Sequence, residues 1–300
     1  MRKIIGWVLL ALGTFLIVIG LMAAVWAPGQ VKRTPLDTDS TTRLSGNADK
    51  LNPATGEVEN IDIVATSITE ADSDLSDDDV IVFANSTCLI VDDGSGSVPD
   101  CVDAQDPEGR LVTASTDVFA TDRSDGMAVN DSKYLPPSAE EKEGLVNKWP
   151  FDAEKKTYPY WDGMLGEAVD AEYDGTEDQD GLETYRYHVL VENASTEVID
   201  GVDGVYSQDK YLWIDPTTGA IINQTQHEVR KLEDGSTILD MNLAFTEDQV
   251  SANVKDAEDN GQQLGLLTRT VPLVGIIGGI LALLVGAFLV RAAGREESAA

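Results

Sequence analysis

Positive charge is scarce in this chain: 21 Lys and Arg stand against 53 Asp and Glu, a formal net charge of −32. That balance excludes a nucleic-acid footprint, which needs the opposite sign. It also excludes a domain that lies flat on anionic lipid headgroups. Cysteine is nearly absent, with Cys88 and Cys101 alone, so no Cys-x-x-Cys redox pair or cysteine metal array is available. Histidine is as rare: His188 and His227 lie far apart in strand-like stretches. There is no His-Glu-x-x-His, no Gly-x-Ser-x-Gly and no phosphate-binding Gly-rich loop ahead of a helix. The acidic runs Asp72-Asp74-Asp77-Asp78-Asp79 and Glu177-Asp178-Asp180 offer oxygen ligands but miss EF-hand spacing. No catalytic residue, cofactor or metal site is therefore expected, and the chain reads as a non-enzyme.

What the chain does have is a long apolar run near each end. Ile4 to Ala27 and Val271 to Val290 contain no charged residue. At about 1.5 Å per residue each can cross a hydrocarbon core of about 30 Å as a helix. Arg2 and Lys3 precede the first run, and Arg291 and Arg295 follow the second. The positive-inside rule then predicts cytoplasmic termini and an extracytoplasmic middle at the plasma membrane. A cleaved signal peptide is the alternative for the first run, yet its apolar length exceeds the usual 7 to 15 or so residues. The expected organisation is a tail at 1–3, a span at 4–27, an extracytoplasmic domain at 28–264, a span at 271–290 and a tail at 291–300. Gly275 and Gly279 form a Gly-x-x-x-Gly in the second run, a spacing that lets helices approach closely. It would serve pairing of the two spans or an oligomer.

Setting aside the spans and tails leaves 16 basic and 51 acidic residues in the middle, a net charge of −35. This region is β-rich by pattern. Val58–Thr69, Asp79–Ala84 and Arg110–Ala120 are strand candidates rich in β-branched residues. From Glu183 to Glu192 Tyr185, Tyr187, Val189 and Val191 alternate with more polar residues, the period of a half-buried strand. Tyr211–Asp215, the turn Pro216-Thr217-Thr218-Gly219 and Ala220–Val229 predict a hairpin, with Ser236–Phe245 as the next strand. Thr246-Glu247-Asp248-Gln249 fits a capping box that starts a helix to about residue 258. Pro136 to Gly181, with its prolines, aromatics and the run DAEYDGTEDQDG, reads as an irregular segment packed on the sheet. The fold class is thus a membrane-anchored α+β chain: one β-rich domain, an antiparallel meander, between two transmembrane helices.

Outside the cell the pair Cys88 and Cys101 is most simply a structural disulfide that pins the loop between them. Tyr158, Tyr160, Trp161 and Trp213 offer flat apolar area and are the candidate binding surface, or else pack in the core.

Several short motifs also fall in one order: Thr121-Asp122-Arg123-Ser124, Met127-Ala128-Val129, Tyr158-Pro159-Tyr160-Trp161-Asp162, Gly181-Leu182-Glu183-Thr184-Tyr185-Arg186-Tyr187 and Tyr211 to Gly219. With a span at each end, this set resembles the PorA-type porin family of actinobacterial envelope proteins over nearly the whole chain. The resemblance implies a channel and brings no catalytic or ligand residues. The residues themselves favour a non-enzymatic envelope protein whose doubly anchored domain binds or scaffolds a lipid, a wall polymer or an envelope protein. A pore-forming or transport component is the alternative.

Overall fold

The computed structural model describes residues 1–52, 55–94, 96, 98–199 and 201–298. They form two compact units, residues 1–33 with 259–300 and residues 34–258.

The first unit is a helix pair. Helix α1 (Arg2–Val25) and helix α4 (Val271–Ser298) are each long and apolar enough to cross a membrane. A short helix α2 (Pro28–Val31) and a π-helical turn (Leu266–Thr270) flank them. The buried residues of α1 are Gly6, Gly13 and Gly20, seven apart and so on one side of the helix. A Cβ on Gly13 would stand 2.7 Å from the Gly279 carbonyl oxygen, and one on Gly6 2.9 Å from that of Gly286. Backbone therefore lies against backbone, which only glycine permits. Gly20 faces Pro272 and Ile276 while Gly6 faces Gly286 and Val290, so the helices are antiparallel. Gly275 and Gly279, which the sequence offered for pairing of the two spans or for an oligomer, lie against Leu16, Gly20, Ile17 and Gly13 of the same chain.

The second unit is one ten-stranded antiparallel sheet: β1 (Asp39–Leu51), β2 (Val58–Asp72), β3 (Val80–Val91), β4 (Leu111–Asp122), β5 (Tyr158–Asp162), β6 (Glu167–Gln179), β7 (Leu182–Ile199), β8 (Val202–Ile214), β9 (Ile221–Leu232) and β10 (Thr237–Phe245). The order β4-β3-β2-β1-β10-β9-β8-β7-β6-β5 is two meanders joined where β1 pairs with β10. The strands expected from pattern are present. Two corrections concern the segment 136–181, which was expected to be irregular and instead contains β5 and β6. The acidic run within it is a strand because its carboxylates face water while Ala171 is fully buried and Tyr173 packs on the core. Strand β1 was not anticipated at all, since DSTTRLSGNADKL carries only Leu44 and Ala48 as buried residues.

Turn and cap chemistry match the sequence. The Asp215 carboxylate accepts hydrogen bonds from Thr217 N (3.1 Å), Thr218 N (3.0 Å) and Thr218 Oγ1 (2.6 Å), and Gly219 has φ +76°. Helix α3 (Glu247–Gly265) begins with Gln249 N donating to Thr246 Oγ1 at 3.2 Å. The Gln249 side chain does not close the capping box; its Oε1 accepts from Arg43 N on β1 at 3.0 Å. Val250, Val254 and Ala257 of α3 then pack on Leu182, Ala220 and Ile222.

One face of the sheet turns inward. The register sets Val189, Lys210, Gln226, Leu243, Gly46 and Ile63 opposite one another on successive strands β7-β8-β9-β10-β1-β2. Leu44, Ala48, Ile63, Ala65, Leu89, Met241 and Leu243 on that face form one buried cluster. Helix α3 packs elsewhere, so the sheet itself rolls over them, as the accumulated twist of ten strands allows. The connection 123–157 occupies both free edges. Asp122 N donates to Met127 O and Val129 N to Ala120 O along β4, while Leu145 N donates to Pro159 O and Trp161 N to Leu145 O along β5. These contacts cover the Asp122 end of β4 and the short edge strand β5.

Candidate functional site

The aromatic residues singled out from sequence are divided between the two faces. Tyr158 and Tyr160 are under a tenth exposed and belong to the cluster of Leu145, Trp149, Tyr187, Val189, Leu212 and Ile214. Trp149 stacks on Tyr160 at 5.4 Å and lies 5.2 Å from Tyr187. Trp161, also buried, carries the Lys142 ammonium 4.9 Å from its ring, and Lys142 pairs with Asp117 of β4 at 2.9 Å. These rings hold the rolled sheet together.

Trp213 points the other way. Its Nε1 donates to Glu177 Oε2 at 2.8 Å. Arg186 pairs with Asp174 (2.7 Å) and Glu177 (3.0 Å) and lies 5.6 Å from the Tyr211 ring, on which His188 stacks at 4.4 Å. Both histidines join a ladder across this face: His188 to Asp209 at 2.8 Å, Asp209 opposite His227, and His227 to Asp240 at 2.8 Å. Among the described residues no group of three His, Cys, Asp or Glu side chains is arranged to hold a metal.

Sequence reasoning missed a polar strip on the inward face. Gln208 and Lys210 of β8 lie opposite Glu228 and Gln226 of β9, with Gln224 one step along. Gln208 and Glu228 are 5% and 4% exposed. Glu228 Oε1 accepts from Arg230 Nε at 2.6 Å, and Gln224 Nε2 donates to Gln226 Oε1 at 2.9 Å. Lys210 carries its ammonium 5.5 Å from the Tyr160 ring. The signal was present in Gln224-Thr225-Gln226-His227-Glu228, where alternation yields no apolar face at all.

Three further features complete the polar inventory. Asp162 accepts from Tyr206 OH at 3.0 Å; burial and then the Asp162 carboxylate raise the Tyr206 hydroxyl far above its ordinary value. The Lys148 side chain is enclosed with Thr34 Oγ1 at 3.3 Å and the Phe151 ring at 3.6 Å, and burial pushes its ammonium down to about 7, against the pull of Asp122 and Asp125. A cleft of about 400 Å³ on the outward side of β3 and β4 is lined by Val82, Val118, Lys133, Tyr134 and Leu135 among others. At its rim Lys133, the Asp79 backbone N–H and the Tyr134 hydroxyl hold Asp77 well below the usual carboxylate range. Cys88 of β3 is joined to Cys101 of the β3–β4 loop, with Cα atoms 5.6 Å apart. The bond ties that loop to the sheet.

The protein is thus a large antiparallel β-sheet meander accompanied by two helices long and apolar enough to cross a membrane. The porin PorA family model matches residues 5–288, and the chain belongs to that family. A porin PorA of Corynebacterium amycolatum is 29% identical over 102 residues, covering 30% of this chain and 26% of the relative, so the match spans about a quarter of that protein's length. Among solved structures, a triple mutant of the Rhodopseudomonas blastica porin aligns over 69% of this chain and 99% of its own, at 10% identity and a TM-score of 0.23, too distant for any property to be carried across.

Proposed function

We propose that this chain is a non-enzymatic protein of the cell envelope, in which a helix pair in the plasma membrane carries an extracytoplasmic β domain that binds or scaffolds an envelope component. A lipid, a wall polymer or another protein fits that role. The helix seam is the supporting observation. Glycine lies against glycine along it, neither apolar segment carries a charge, and the Thr14 hydroxyl is satisfied by Leu10 O at 2.9 Å. One copy therefore offers no polar lining for a water path between its helices. Antiparallel packing sets Arg2 and Lys3 toward the same end as Arg291 and Arg295, in keeping with cytoplasmic termini. The outward group Trp213, Tyr211, Arg186 and His188 supplies half-buried aromatic area for a partner.

A pore or transport component is the second reading, and membership of the porin PorA family favours it over the first. In that reading several helix pairs assemble, and the acidic domain concentrates cations at the mouth. Purified full-length protein in planar bilayers separates the two. A silent bilayer together with an envelope molecule captured by the β domain supports the binding reading. Reproducible unitary conductance, lost when either helix is deleted, replaces it with the pore.

A further inference from the structure

We infer that the free edge of β4, together with the cleft beside it, is a docking site for an extended basic segment of a partner protein, added to the sheet as a further strand. The inference rests on the binding reading above and makes its partner a protein. The connection 123–157 follows the β4 edge only near Asp122. Val129 N donates to Ala120 O, and the chain then leaves the edge to wall the cleft at residues 132–136. Ala120 thus points its carbonyl away from β3, and the two-residue period of a strand turns the backbone groups of Ala114 and Thr116 the same way. Among the described residues, these outward N–H and C=O groups meet no backbone partner, and residues 113–116 are exposed. The stretch 111–116, LVTAST, carries neither charge nor proline. The other uncovered edge differs: beyond β5, residues 172–179 of β6 carry Glu172, Asp174, Glu177 and Asp178. Charge is the usual guard on an open edge, and 111–116 has none.

The cleft of about 400 Å³ supplies the second observation. It opens on the same strand two residues beyond Thr116, where Val118 lines it with Leu75, Val82, Ala84 and Leu135. Two strand residues span about 7 Å, so a segment paired with Ala114 and Thr116 delivers its next outward side chain to an apolar hollow. Leu75 is 48% exposed there, area that an inserted side chain would cover. Backbone bonds give affinity in strand addition, and such a pocket gives selectivity. Charge selects among occupants. At one end of the free stretch Asp93, Asp106 and Glu108 surround Arg110, and at the other Asp72 and Asp77 accompany Lys133, so both ends have carboxylates in excess. A second copy would bring another domain of net charge −35 to that place and be repelled. A lipid chain would fill the cleft but offer nothing to the edge amides. A strand with Lys or Arg at its ends and one large apolar side chain matches edge, cleft and charge together.

The test uses the full chain in detergent micelles and capped octapeptides of alternating Thr and Val between Lys ends, with Leu, Phe or Trp placed in turn at each inner position. The same set with Glu ends is the comparator. Fluorescence anisotropy should show at least one Lys-ended peptide binding, with its Glu-ended twin weaker by roughly tenfold or more. Bound peptide should slow hydrogen exchange across residues 111–117 and leave residues 172–179 unchanged. Ala114→Pro removes an N–H that the β3 ladder does not use, so it should weaken binding by roughly tenfold with the thermal midpoint preserved. Should that variant misfold, exposed Thr116→Lys carries the test by setting a repelling charge on the edge. Leu75→Ser should weaken the peptides with a large apolar residue several-fold and leave the plain Thr-Val host unaffected. Preference for the Glu-ended set overturns the assignment, as does an affinity indifferent to both edge variants. A dimer of the full chain that protects 111–117 without capturing peptide gives the edge to a second copy and overturns it equally. No peptide binding, in protein that is silent in planar bilayers, overturns the edge site and leaves the binding reading standing. Unitary conductance with no peptide bound overturns both.

Discussion

The two units of this chain are held together by opposite means. Along the helix pair the contact residues are glycines, and closeness is achieved by having no side chain. In the β unit the contacts are Trp149, Tyr187, Tyr206, Phe83 and Leu212, among the largest side chains fully buried. On the proposed membrane reading, the difference follows from the solvent each unit meets. Between helices in hydrocarbon there is no hydrophobic gain from burying Leu against Leu, so dispersion and close backbone approach must supply the attraction. In water every apolar area removed from solvent contributes, at about 25 cal/mol per Å², so bulk is favoured. A large apolar side chain therefore stabilises the β unit and would part the helix seam.

Core truncation should be the most damaging change. Trp149→Ala removes a fully buried ring stacked between Tyr160 and Tyr187, and should destabilise the β unit by about 3–5 kcal/mol, read as a lower urea midpoint. A loss of under about 1 kcal/mol would show that bulk is not what holds this unit. Replacing Cys88 and Cys101 together by Ser should cost about 2–4 kcal/mol while leaving membrane insertion intact. Free thiols in protein isolated without reductant would contradict the assigned bond.

Next in size is the seam. Gly13→Leu drives a side chain into the Gly279 backbone and should separate the helices at a cost of about 1–3 kcal/mol, seen as a longer spin-label distance between α1 and α4. Gly278→Leu meets open space and should do nothing. Equal effects at the two positions would break the contrast between the units.

The smallest effect concerns charge. Burial lowers the Lys148 ammonium from 10.5 to about 7 in the folded chain, so between those values the unfolded state binds more protons. Stability therefore rises with pH from about 7 toward 10, and the penalty of the enclosed charge is fully present below 7. Discounted for solvent near the stem, that penalty is on the order of 1–2 kcal/mol. Lys148→Met should flatten the rise between pH 7 and 9.5 in chemical denaturation, and an unchanged slope would show that the ammonium is well solvated.

Legibility also differed between the units. The existence of the two apolar helices was plain, because a run of about 20 consecutive apolar positions leaves a dense signal, although α4 continues to Ser298, past the end of the apolar run at Val290. Gly275 and Gly279 were visible too, but nothing local said that they meet Gly20 and Gly13 rather than a second copy, and the spacing of Gly6, Gly13 and Gly20 went unnoticed. In the β unit, Tyr185, Tyr187, Val189 and Val191 announced β7 by alternation, and Pro216 to Gly219 announced the turn. Strand β1 and the acidic strand β6 were hidden because their outward faces are polar and their inward faces are sparse, so neither period stood out. Trp213 and Tyr160 looked alike as aromatics between turn residues; parity on strands that are distant in sequence put them on opposite faces.

By itself the sequence determined the two apolar helices, the acidic middle, the single cysteine pair, the main hairpin and the family, since each depends on composition or on residues close together in the chain. Tertiary structure alone decided that β1 pairs with β10, that the sheet rolls one face inward, and that Gln208, Lys210, Gln226 and Glu228 come together there. Those outcomes depend on register between strands far apart in sequence. Register is set by how well whole faces pack, a property no local window contains.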